Sequence, residues 1–338
     1  MRTRIGVNGM GRIGRALFRI AEDRADCSFE IVAANDVAGA EQVAGLLARD
    51  STYGRWDKRI ELSHGYLSVD DRAVRVTQWQ DPTDVDWSED GVEIVVDATG
   101  RFRTRDAAAA HLSSGVRKVV LTAPGSGMDA TIVMGVNDSD YEATRDHVLS
   151  AASCTTNCAA PMAYVLDQAF GIEEGLLTTV HSYTADQNLV DGPHHDPRRA
   201  RSAAVNIIPT GTGAARAIGA VLPRLAGRLD GLSLRVPVED VSLVDLTVRL
   251  STPVTAAQVN HAFVTAADGA LKGVLRCTTE PIVSRDVVGE RASCLMDLGL
   301  TRVVEGLVKV FGWYDNEWGY AERVADLLGL VARTLPDE

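Results

Sequence analysis

The sequence predicts an α/β protein with two domains: a Rossmann-type doubly wound parallel sheet, followed by an α+β domain with a mainly antiparallel sheet. In the first half, short apolar runs alternate with stretches of helical spacing, which is the pattern of parallel strands joined by helices. In the second half, longer segments alternate apolar and polar residues, which favours an antiparallel sheet with one solvated face. A chain of 338 residues is long enough to build both cores.

The elements of the first half follow from apolar runs and their spacing. Residues 91–98 give the strongest strand signal, because Val92, Ile94, Val95 and Val96 form a nearly continuous apolar run. In chain order, the predicted elements are a strand at 4–7, a helix at 12–21, strands at 29–34 and 91–98, a helix at 105–112 and a strand at 118–122.

The second half starts with a helix that follows Cys154 and reaches residue 170. Its clearest strand is 242–250, where apolar residues at 244, 246, 248 and 250 alternate with polar residues at 245, 247 and 249. The remaining predicted elements are strands at 176–182, 232–236 and 308–313 and an amphipathic helix at 322–333. We place the domain boundary after residue 152, so that the domains are residues 1–152 and 153–318.

Composition and charge exclude several classes of protein. With 46% hydrophobic and 24% charged residues the chain is globular, and a net charge of -12 argues against a nucleic-acid or anionic-membrane surface. No apolar run approaches the ~18 residues of a membrane helix, and the N-terminus carries no leader pattern, so we expect a cytoplasmic protein. Five cysteines, an odd number, fit a reducing compartment better than a disulfide framework.

A glycine motif, G-x-G-x-x-G, follows the first strand at residues 9–14. In such a turn Gly9 permits the tight bend, Gly11 lets the backbone approach a pyrophosphate, and Gly14 lets the helix pack closely. The start of that helix offers free N–H groups to phosphates. Asp36 lies 22 residues after Gly14, where a carboxylate accepts from a ribose 2′-OH, so NAD is favoured over NADP. The alternative is a glycine-rich turn with a solvated aspartate.

Two further strand ends carry hydroxyl and glycine residues. Thr99 and Gly100 follow the strand at 91–98, and Thr122 ends the strand at 118–122. Ligands of doubly wound sheets lie at the carboxyl ends of the strands, so these residues are candidates for contact with the nicotinamide half of the cofactor. Ordinary turns are the alternative.

Cys154 is the central candidate for chemistry. It starts a predicted helix, and the helix dipole there favours a thiolate with a lowered pKa. The hydroxyls of Ser153 and Thr155 flank it, and His181, at the end of a predicted strand, supplies a base. The alternative is that Cys154 and Cys158 are inert core cysteines. A C-x3-C pair without further ligands is a poor zinc site, so no metal is expected.

Basic and hydroxyl residues indicate phosphate binding in the second half. Arg235 lies near the end of a predicted strand, and residues 210–213 form a hydroxyl and glycine turn ahead of a helix. Residues 195–201 form a short basic run, which is also the pattern of a solvated loop or a subunit contact. For Arg198 we favour that second interpretation, and for Arg235 we favour phosphate binding.

Together these motifs make the chain similar to a known family. It resembles the phosphorylating glyceraldehyde-3-phosphate dehydrogenases along essentially its whole length. The Cys154 motif and the Asp-Asn-Glu-Trp-Gly-Tyr motif at 315–320 are the most specific. The segments that carry the resemblance are 8–15, 123–124, 134–137, 153–158, 181–184, 206–209, 235–237 and 313–320.

The resemblance implies NAD as cofactor and the oxidative phosphorylation of D-glyceraldehyde 3-phosphate to 1,3-bisphosphoglycerate in glycolysis. Cys154 would form a thiohemiacetal and then a thioester, with His181 as base and inorganic phosphate as acyl acceptor. It also implies a homotetramer and a C-terminal helix, 319–338, that returns to the first domain. The implied cofactor contacts are Gly9, Gly11, Arg12, Ile13, Gly14, Asp36, Thr99, Gly100, Thr122, Asn316 and Tyr320. The implied phosphate contacts are Ser153, Thr155, Thr184, Arg199, Thr212, Gly213 and Arg235.

Several positions depart from the family pattern, and the last two of them, at 238–240 and 285–294, suggest a specialised bacterial copy. Met10 replaces the usual phenylalanine, and Gly192 stands where NAD-specific relatives usually carry leucine, which weakens the exclusion of NADP. Residues 238–240 and 285–294 are also atypical, and the second segment contains the extra thiol Cys294.

Three other functions compete with this one. Erythrose-4-phosphate dehydrogenases share the fold and the cysteine, but Tyr183 and Thr184 retain the pattern that binds the triose phosphate. An inhibitor-resistant copy would share the activity and differ in cellular purpose. A non-catalytic NAD-binding protein would need neither Cys154 nor His181, so their presence argues against it.

Overall fold

A computed structural model describes residues 2–63, 65–113 and 115–336, which form two compact units. Residue 1 and residues 337 and 338, which belong to the predicted ranges 1–152 and 319–338, lie outside the described residues. The first unit comprises Met1–Ile132, Asp138–Ala152 and Ala321–Glu338, and the second comprises Val133–Asn137 and Ser153–Tyr320.

The first unit is built on a sheet whose strands run mostly parallel. Its order is β10-β11-β9-β8-β1-β2-β7-β6-β5, parallel from β10 to β7 and antiparallel from β7 to β5, while β3 and β4 pair separately. In chain order the elements are β1 (Thr3–Asn8), α1 (Arg12–Asp23), β2 (Phe29–Asn35), α2 (Ala40–Ala48), β3 (Arg49–Asp50), β4 (Gly54–Arg55), β5 (Ile60–Ser63), β6 (Tyr66–Val69), β7 (Arg72–Thr77), β8 (Ile94–Asp97), α3 (Arg105–Ala109), β9 (Lys118–Leu121), β10 (Ala130–Thr131) and β11 (Val148–Ser150).

The degree of burial explains which of these strands could be predicted from the sequence. All residues of β8, β9 and β11 are buried, as expected for parallel strands covered on both faces. The edge strands β5 to β7 bury only Leu67, Val69 and Val74, so they lack an apolar run and were not predicted. The helix expected at 105–112 ends at Ala109, and the strand expected at 91–98 is limited to Ile94–Asp97.

The second unit contains a mixed, mainly antiparallel sheet. Its order is β13-β14-β12-β15-β19-β17-β16, with β18 paired to β19, and only the pairs β12–β14 and β16–β17 are parallel among the described residues. In chain order the elements are α4 (Cys154–Phe170), β12 (Ile172–Ser182), β13 (Ile208–Gly211), α5 (Ala214–Val221), β14 (Leu229–Val236), β15 (Ser242–Leu250), α6 (Ala256–Asp268), β16 (Leu275–Thr278), β17 (Cys294–Asp297), β18 (Arg302–Val304) and β19 (Leu307–Tyr314).

The alternation predicted for residues 242–250 is confirmed in β15. Val244, Leu246 and Val248 are buried, while Asp245 and Arg249 point to the more exposed face. The fold class predicted from the sequence, two α/β domains of which the second has a mainly antiparallel sheet, is therefore confirmed.

The last helix, α7 (Trp318–Arg333), begins in the second unit and belongs to the first from Ala321 onwards. Within the first unit, Arg24 at the end of α1 donates to Asp326 at 2.8 Å and to Glu322 at 3.3 Å. The short segment Val133–Asn137, which we had placed in the first domain, belongs to the second unit. No helix of the described residues is long and apolar enough to cross a membrane.

Gly14 of α1 should tolerate a side chain poorly, in contrast to Gly45 of α2. A Cβ at Gly14 would lie well inside van der Waals contact with the carbonyl oxygen of Gly9, whereas a Cβ at Gly45 of α2 would meet no atom within 4 Å. We expect Gly14→Ala to destabilise the first unit by about 1–3 kcal/mol, because overpacking moves the backbone. Gly45→Ala should stabilise it by roughly 0.5–1 kcal/mol.

Urea denaturation followed by circular dichroism, with NAD absent, compares the two variants. Equal midpoints for Gly14→Ala and the parent chain would show that the turn has room for a side chain.

Candidate active site

In the glycine turn between β1 and α1, Gly9 and Gly14 pack closely against backbone atoms, whereas Gly11 has free space beside it. Gly9 has φ +95°, and a Cβ there would lie 2.8 Å from the backbone nitrogen of Thr99. Gly14 packs against the carbonyl of Gly9. Gly11 caps the start of α1, and a Cβ on it would meet no atom within 4 Å. The backbone at Gly11 is therefore accessible to a phosphate group, which fits the pyrophosphate of a dinucleotide.

Asp36 is held beside this turn. Its carboxylate accepts from the backbone N–H of Met10 at 2.7 Å and from that of Ala38 at 2.8 Å. A cavity of about 210 Å³ adjoins it. The carboxylate keeps further lone pairs, so it can also accept from ribose hydroxyls. The cavity is lined by Asn8, Gly9, Gly11, Asn35, Asp36, Val37, Trp79, Gln80, Ala98, Thr99, Arg101 and Phe102.

The other residues expected at the cofactor have internal partners. The Thr99 hydroxyl donates to the Asp97 carboxylate at 2.7 Å, and the Thr122 hydroxyl and N–H donate to the Asp97 carbonyl at 3.3 and 2.9 Å. Arg12 pairs with Asp50 and lies over the ring of Tyr53. These contacts fix the strand ends.

Gly100 and Ile13, also expected at the cofactor, have no polar side chain, so either could make only backbone or apolar contacts with it. Gly100 adopts φ +65°, and Ile13 is half-buried on α1. Both lie in the first unit with the glycine turn.

Cys154 is the first residue of α4. Ser153 precedes it as the helix cap, and its hydroxyl accepts from the N–H of Thr156 at 3.0 Å. The hydroxyl of Thr155 contacts the Tyr314 hydroxyl at 2.9 Å, and Tyr314 also contacts Thr179 of β12 at 2.8 Å. The two hydroxyls that flank Cys154 in sequence thus have partners within the protein, and the first turn offers its backbone N–H groups.

His181 faces Cys154 from the end of β12. Its Nε2 lies 3.5 Å from the Cys154 sulfur, and its Nδ1 lies 2.7 Å from the carbonyl oxygen of Ser182. The Ser182 oxygen can only accept, which favours a proton on Nδ1, whereas Arg235 Nη1, 2.8 Å from the same nitrogen, can only donate. Because the Ser182 oxygen is the nearer of the two, we assign the proton to Nδ1, and Nε2 then keeps its lone pair. The arrangement joins a thiol to a base of the kind used in covalent catalysis.

The parallel register of β12 and β14 places Arg235 next to His181. Arg235 Nη1 lies 2.8 Å from His181 Nδ1 and donates to the carbonyl of Ser182 at 3.0 Å and to the hydroxyl of Thr184 at 3.3 Å. Burial and the positive charge of Arg235 lower the pKa of His181 to about 3. The imidazole is therefore neutral at neutral pH.

The pKa of Cys154 differs from the sequence expectation. Burial raises the pKa of the thiol, while Arg235 and the backbone N–H of Thr155 act to lower it. The expectation of a lowered pKa took account of the helix terminus but not of the desolvation. With both groups neutral, the resting pair is a thiol and an imidazole.

A cluster of alternating charges extends from Arg235. The Thr184 hydroxyl donates to Asp186, Asp186 pairs with Arg199, and the Arg199 Nε donates to the Thr210 hydroxyl at 3.0 Å. The buried Nε of Arg235 has no hydrogen-bond partner among the described residues. A buried guanidinium with a free donor is suited to an oxyanion.

Sequence reasoning missed Asp186 and Tyr314 as parts of this site. Asp186 lies two residues after Thr184, a spacing that permits a local side-chain bond, and this was the available signal. Thr212 and Gly213, which were expected at a phosphate, precede α5: Gly213 caps it, and the Thr212 hydroxyl accepts from the N–H of Ala214 at 3.2 Å.

Asn316 is oriented by two serine hydroxyls. Its side-chain oxygen accepts from Ser182 at 2.9 Å and from Ser242 at 2.6 Å. Among the described residues no hydrogen bond takes its amide nitrogen, so the nitrogen can donate to a carboxamide. Tyr320, the other expected contact in this motif, is buried, and burial raises the pKa of its hydroxyl.

The two halves of the chain match the two parts of one family. Residues 3–105 match the sequence model of the glyceraldehyde 3-phosphate dehydrogenase NAD binding domain, and residues 153–316 match that of the C-terminal domain. The chain belongs to the glyceraldehyde-3-phosphate dehydrogenase family. Members catalyse an NAD-dependent, phosphorylating oxidation in glycolysis, so this chain is an NAD-dependent oxidoreductase. The predictions of family, cofactor and enzyme class are confirmed.

Curated relatives cover the chain from end to end. Glyceraldehyde-3-phosphate dehydrogenase 2 of Streptomyces arenae is 50% identical over 335 residues, which is 99% of this chain and 100% of the relative. The dehydrogenase of Geobacillus stearothermophilus is 49% identical over 333 residues, 98% of this chain and 99% of the relative. Glyceraldehyde-3-phosphate dehydrogenase 1 of Bacillus subtilis is 49% identical over 334 residues, with the same coverage.

Arg235 should control the ionisation of both reactive groups. Its charge lowers the pKa of Cys154 and of His181, so Arg235→Met should raise both. We expect alkylation of Cys154 by iodoacetamide at pH 7.5 to slow by about three- to tenfold, because one pKa unit changes the thiolate fraction tenfold when the pKa lies above the pH.

Arg249→Met, on the exposed face of neighbouring β15, is the matched control and should leave the alkylation rate unchanged. Mass spectrometry of the Cys154 peptide measures the rate, and a proton NMR titration of His181 checks the second shift. An unchanged alkylation rate in Arg235→Met would show that Arg235 does not act on the thiol.

Proposed function

We propose that this chain oxidises glyceraldehyde 3-phosphate through a covalent adduct on Cys154, with His181 as the base, in the cytoplasm. The observation that carries the proposal is the 3.5 Å contact between the Cys154 sulfur and Nε2 of His181 at the first turn of α4. An aldehyde gives up a hydride readily only after a nucleophile has made its carbonyl carbon tetrahedral, and a thiol with an adjacent base supplies that nucleophile.

Because Cys154 rests as a thiol and His181 as a neutral imidazole, the thiol proton can be followed through each step of the reaction. Nε2 of His181 takes the thiol proton as sulfur attacks the carbonyl carbon, and returns it to the oxygen of the thiohemiacetal. His181 takes this proton again as the hydroxyl becomes the carbonyl of a thioester. The chemistry that bound NAD would supply is acceptance of the hydride from the same carbon. Inorganic phosphate then attacks the thioester carbon, the carbon–sulfur bond breaks, and 1,3-bisphosphoglycerate leaves. The Cys154 thiolate takes back the proton held on His181, and the proton of the attacking phosphate goes to solvent, which restores the neutral pair.

Substrate phosphate would strengthen the base in this scheme. Thr184 and Arg235 would hold the phosphate of the aldehyde, because their donors converge and the Arg235 Nε lacks a partner among the described residues. An anion on Arg235 offsets the positive charge that lowers the pKa of His181. Binding of the substrate phosphate would therefore raise the pKa of His181 and, because Arg235 also lowers the pKa of Cys154, that of the thiol as well.

The attacking phosphate would use a separate set of donors. Arg199 lies in the same charged cluster, and the N-terminus of α5 at Gly213 presents backbone N–H groups beside Thr212. Ser153 and Thr155 would contribute backbone N–H groups more readily than hydroxyls, since both hydroxyls already have partners.

The backbone of the glycine turn and the side chains of Asp36 and Asn316 would contact different parts of the cofactor. Gly9, Gly11 and Gly14 would admit the pyrophosphate to the start of α1, and Asp36 would accept from the adenosine ribose. The amide nitrogen of Asn316 would donate to the carboxamide of nicotinamide, because Ser182 and Ser242 fix its oxygen.

The decisive experiment measures the initial rate of NADH formation with and without inorganic phosphate. We expect a phosphate-dependent rate with glyceraldehyde 3-phosphate that exceeds the rate with erythrose 4-phosphate. Cys154→Ser should lower turnover by at least about a thousandfold, because the hydroxyl is a far weaker nucleophile, while NAD binding is unchanged. Cys277→Ser is the control thiol.

Preference for the tetrose would assign the chain to the erythrose-4-phosphate dehydrogenases. Retained turnover in Cys154→Ser would exclude Cys154 as the nucleophile. A rate independent of phosphate would exclude a phosphorolytic second step.

We also propose a homotetramer. The outward face of the second unit's sheet carries exposed leucines, Leu176 at 66%, Leu232 at 44% and Leu307 at 43%. Leu176 and Leu307 line a groove of about 810 Å³ that also contains both acidic and basic side chains. An exposed apolar sheet face with charges of both signs is suited to self-association about a twofold axis.

Substitution on this face tests the assembly. Leu176→Asp should shift the mass measured by light scattering from a multiple of 36.2 kDa towards a smaller species, because it buries an unpaired charge. Leu62→Asp on β5, where the leucine is 39% exposed, is the matched control and should keep the parent mass. A parent chain that is monomeric at micromolar concentration would refute the proposal.

A further inference from the structure

Trp79 is an unusually exposed tryptophan for this chain. Its exposed fraction is 50%, whereas Trp56 is 7% exposed and Trp87 is fully buried. It follows β7 and lines the cavity of about 210 Å³ that also contains Asp36. An exposed indole leaves a large apolar area in water, and where it borders a cavity it offers a flat surface to a ligand.

The backbone of Trp79 is fixed by Asn35, a buried residue. The side-chain oxygen of Asn35 accepts from the N–H of Trp79 at 2.8 Å, and its amide nitrogen donates to the carbonyl of Trp79 at 3.0 Å. The same amide nitrogen donates to Asn8 at 2.8 Å, and the hydroxyl of Thr77 donates to the Asn35 oxygen at 2.8 Å. Asn35 directly precedes Asp36, so one residue positions both Trp79 and the ribose-binding carboxylate.

The cavity is large enough for the adenosine end of the cofactor but too small for the whole dinucleotide. At about 210 Å³ it is smaller than the roughly 300–1,000 Å³ of sites that enclose a drug-sized ligand. Asp36 lies in its wall, and the base of a nucleoside is attached directly to the ribose that Asp36 would bind. Purines bind proteins by stacking on aromatic faces, since every base has a π-face. Trp79 is the tryptophan within reach of that base among the described residues.

We infer that the indole of Trp79 stacks on the purine ring of the dinucleotide and that Asn35 acts as the positioning residue for it. This inference rests on the proposed cofactor site at Gly11 and Asp36, and it assigns a specific contact within that site. Stacking stabilises the adenosine half and leaves the reacting groups of the second unit unchanged.

Binding of ADP-ribose, which lacks nicotinamide, tests the contact without catalysis. By isothermal titration calorimetry, Trp79→Leu should weaken ADP-ribose roughly tenfold, the order found when a stacked aromatic side chain is removed. Trp79→Phe should recover most of the affinity, because a phenyl ring also stacks. Tyr66→Leu is the matched control, an aromatic residue of the same unit with 45% exposure, and should bind normally.

A second measurement uses the unmodified chain. AMP should quench the fluorescence contributed by Trp79 and shield it from acrylamide, and Trp79→Phe should remove this AMP-dependent change. The remaining tryptophans give a constant background. This readout does not depend on whether Trp79→Leu folds.

The outcomes separate the stacking contact from the site itself. Gly11→Val should abolish ADP-ribose binding, since its side chain would occupy the space at the start of α1. If Gly11→Val loses binding and Trp79→Leu does not, the cofactor site stands and the stacking contact is wrong. If neither variant changes the affinity, both assignments are wrong. If Trp79→Phe binds as weakly as Trp79→Leu, an aromatic face is not what the ligand uses.

Discussion

The parallel pairing of β12 with β14 is the constraint on which the catalytic arrangement depends. Register places His181 opposite Arg235, and both side chains lie at the end of the strands where α4 begins with Cys154. The neighbouring pairs of the sheet are mostly antiparallel, so this parallel pair brings two strand ends to the same edge. A shift of one residue would turn His181 to the opposite face and separate it from the thiol.

The charges at this edge are arranged for an anion. Arg235 is half-buried, its Nε has no hydrogen-bond partner among the described residues, and its Nη1 lies against a neutral imidazole. Burial of a guanidinium is costly unless it is paired, and removal of its partner leaves an uncompensated charge. The protein holds this arrangement without a full set of internal partners, so a bound phosphate oxyanion would complete it. Under the proposed phosphate role of Arg235, stability and affinity for phosphate would be linked at this one residue.

Local features could be predicted from the sequence, and features that depend on packing between distant segments could not. The glycine turn, the start of α4 at Cys154 and the alternation of β15 each follow from neighbouring residues. The Tyr314 contacts to Thr155 and Thr179 join residues more than 130 positions apart, and the clamp of Asn35 on Trp79 spans 44. Desolvation of Cys154 is likewise a property of the assembled fold, which is why its pKa differs from the sequence expectation.

The two atypical segments, 238–240 and 285–294, contact each other and contain neither Cys154 nor His181. Glu239 and Arg285, which come from the two atypical segments, form an ion pair with each other, and both side chains are exposed. An exposed pair contributes about 0–1 kcal/mol, so it changes the surface charge more than the stability. Cys294 is buried, and a Cβ added at Gly312 would contact its sulfur at 2.6 Å and the sulfur of Cys158 at 3.2 Å.

Cys294 therefore fills space in the core between α4 and the sheet, close to Cys158 and Gly312. Burial and the neighbouring Cys294 and Cys154 raise the pKa of Cys158 well above its usual range, which keeps it a thiol at neutral pH. Among the described residues the Cys158 sulfur contacts the Met162 sulfur and the Gly312 carbonyl but no imidazole, so it lacks the base that adjoins Cys154. The atypical positions thus leave Cys154 and His181 unchanged and in contact, with the sulfur 3.5 Å from Nε2.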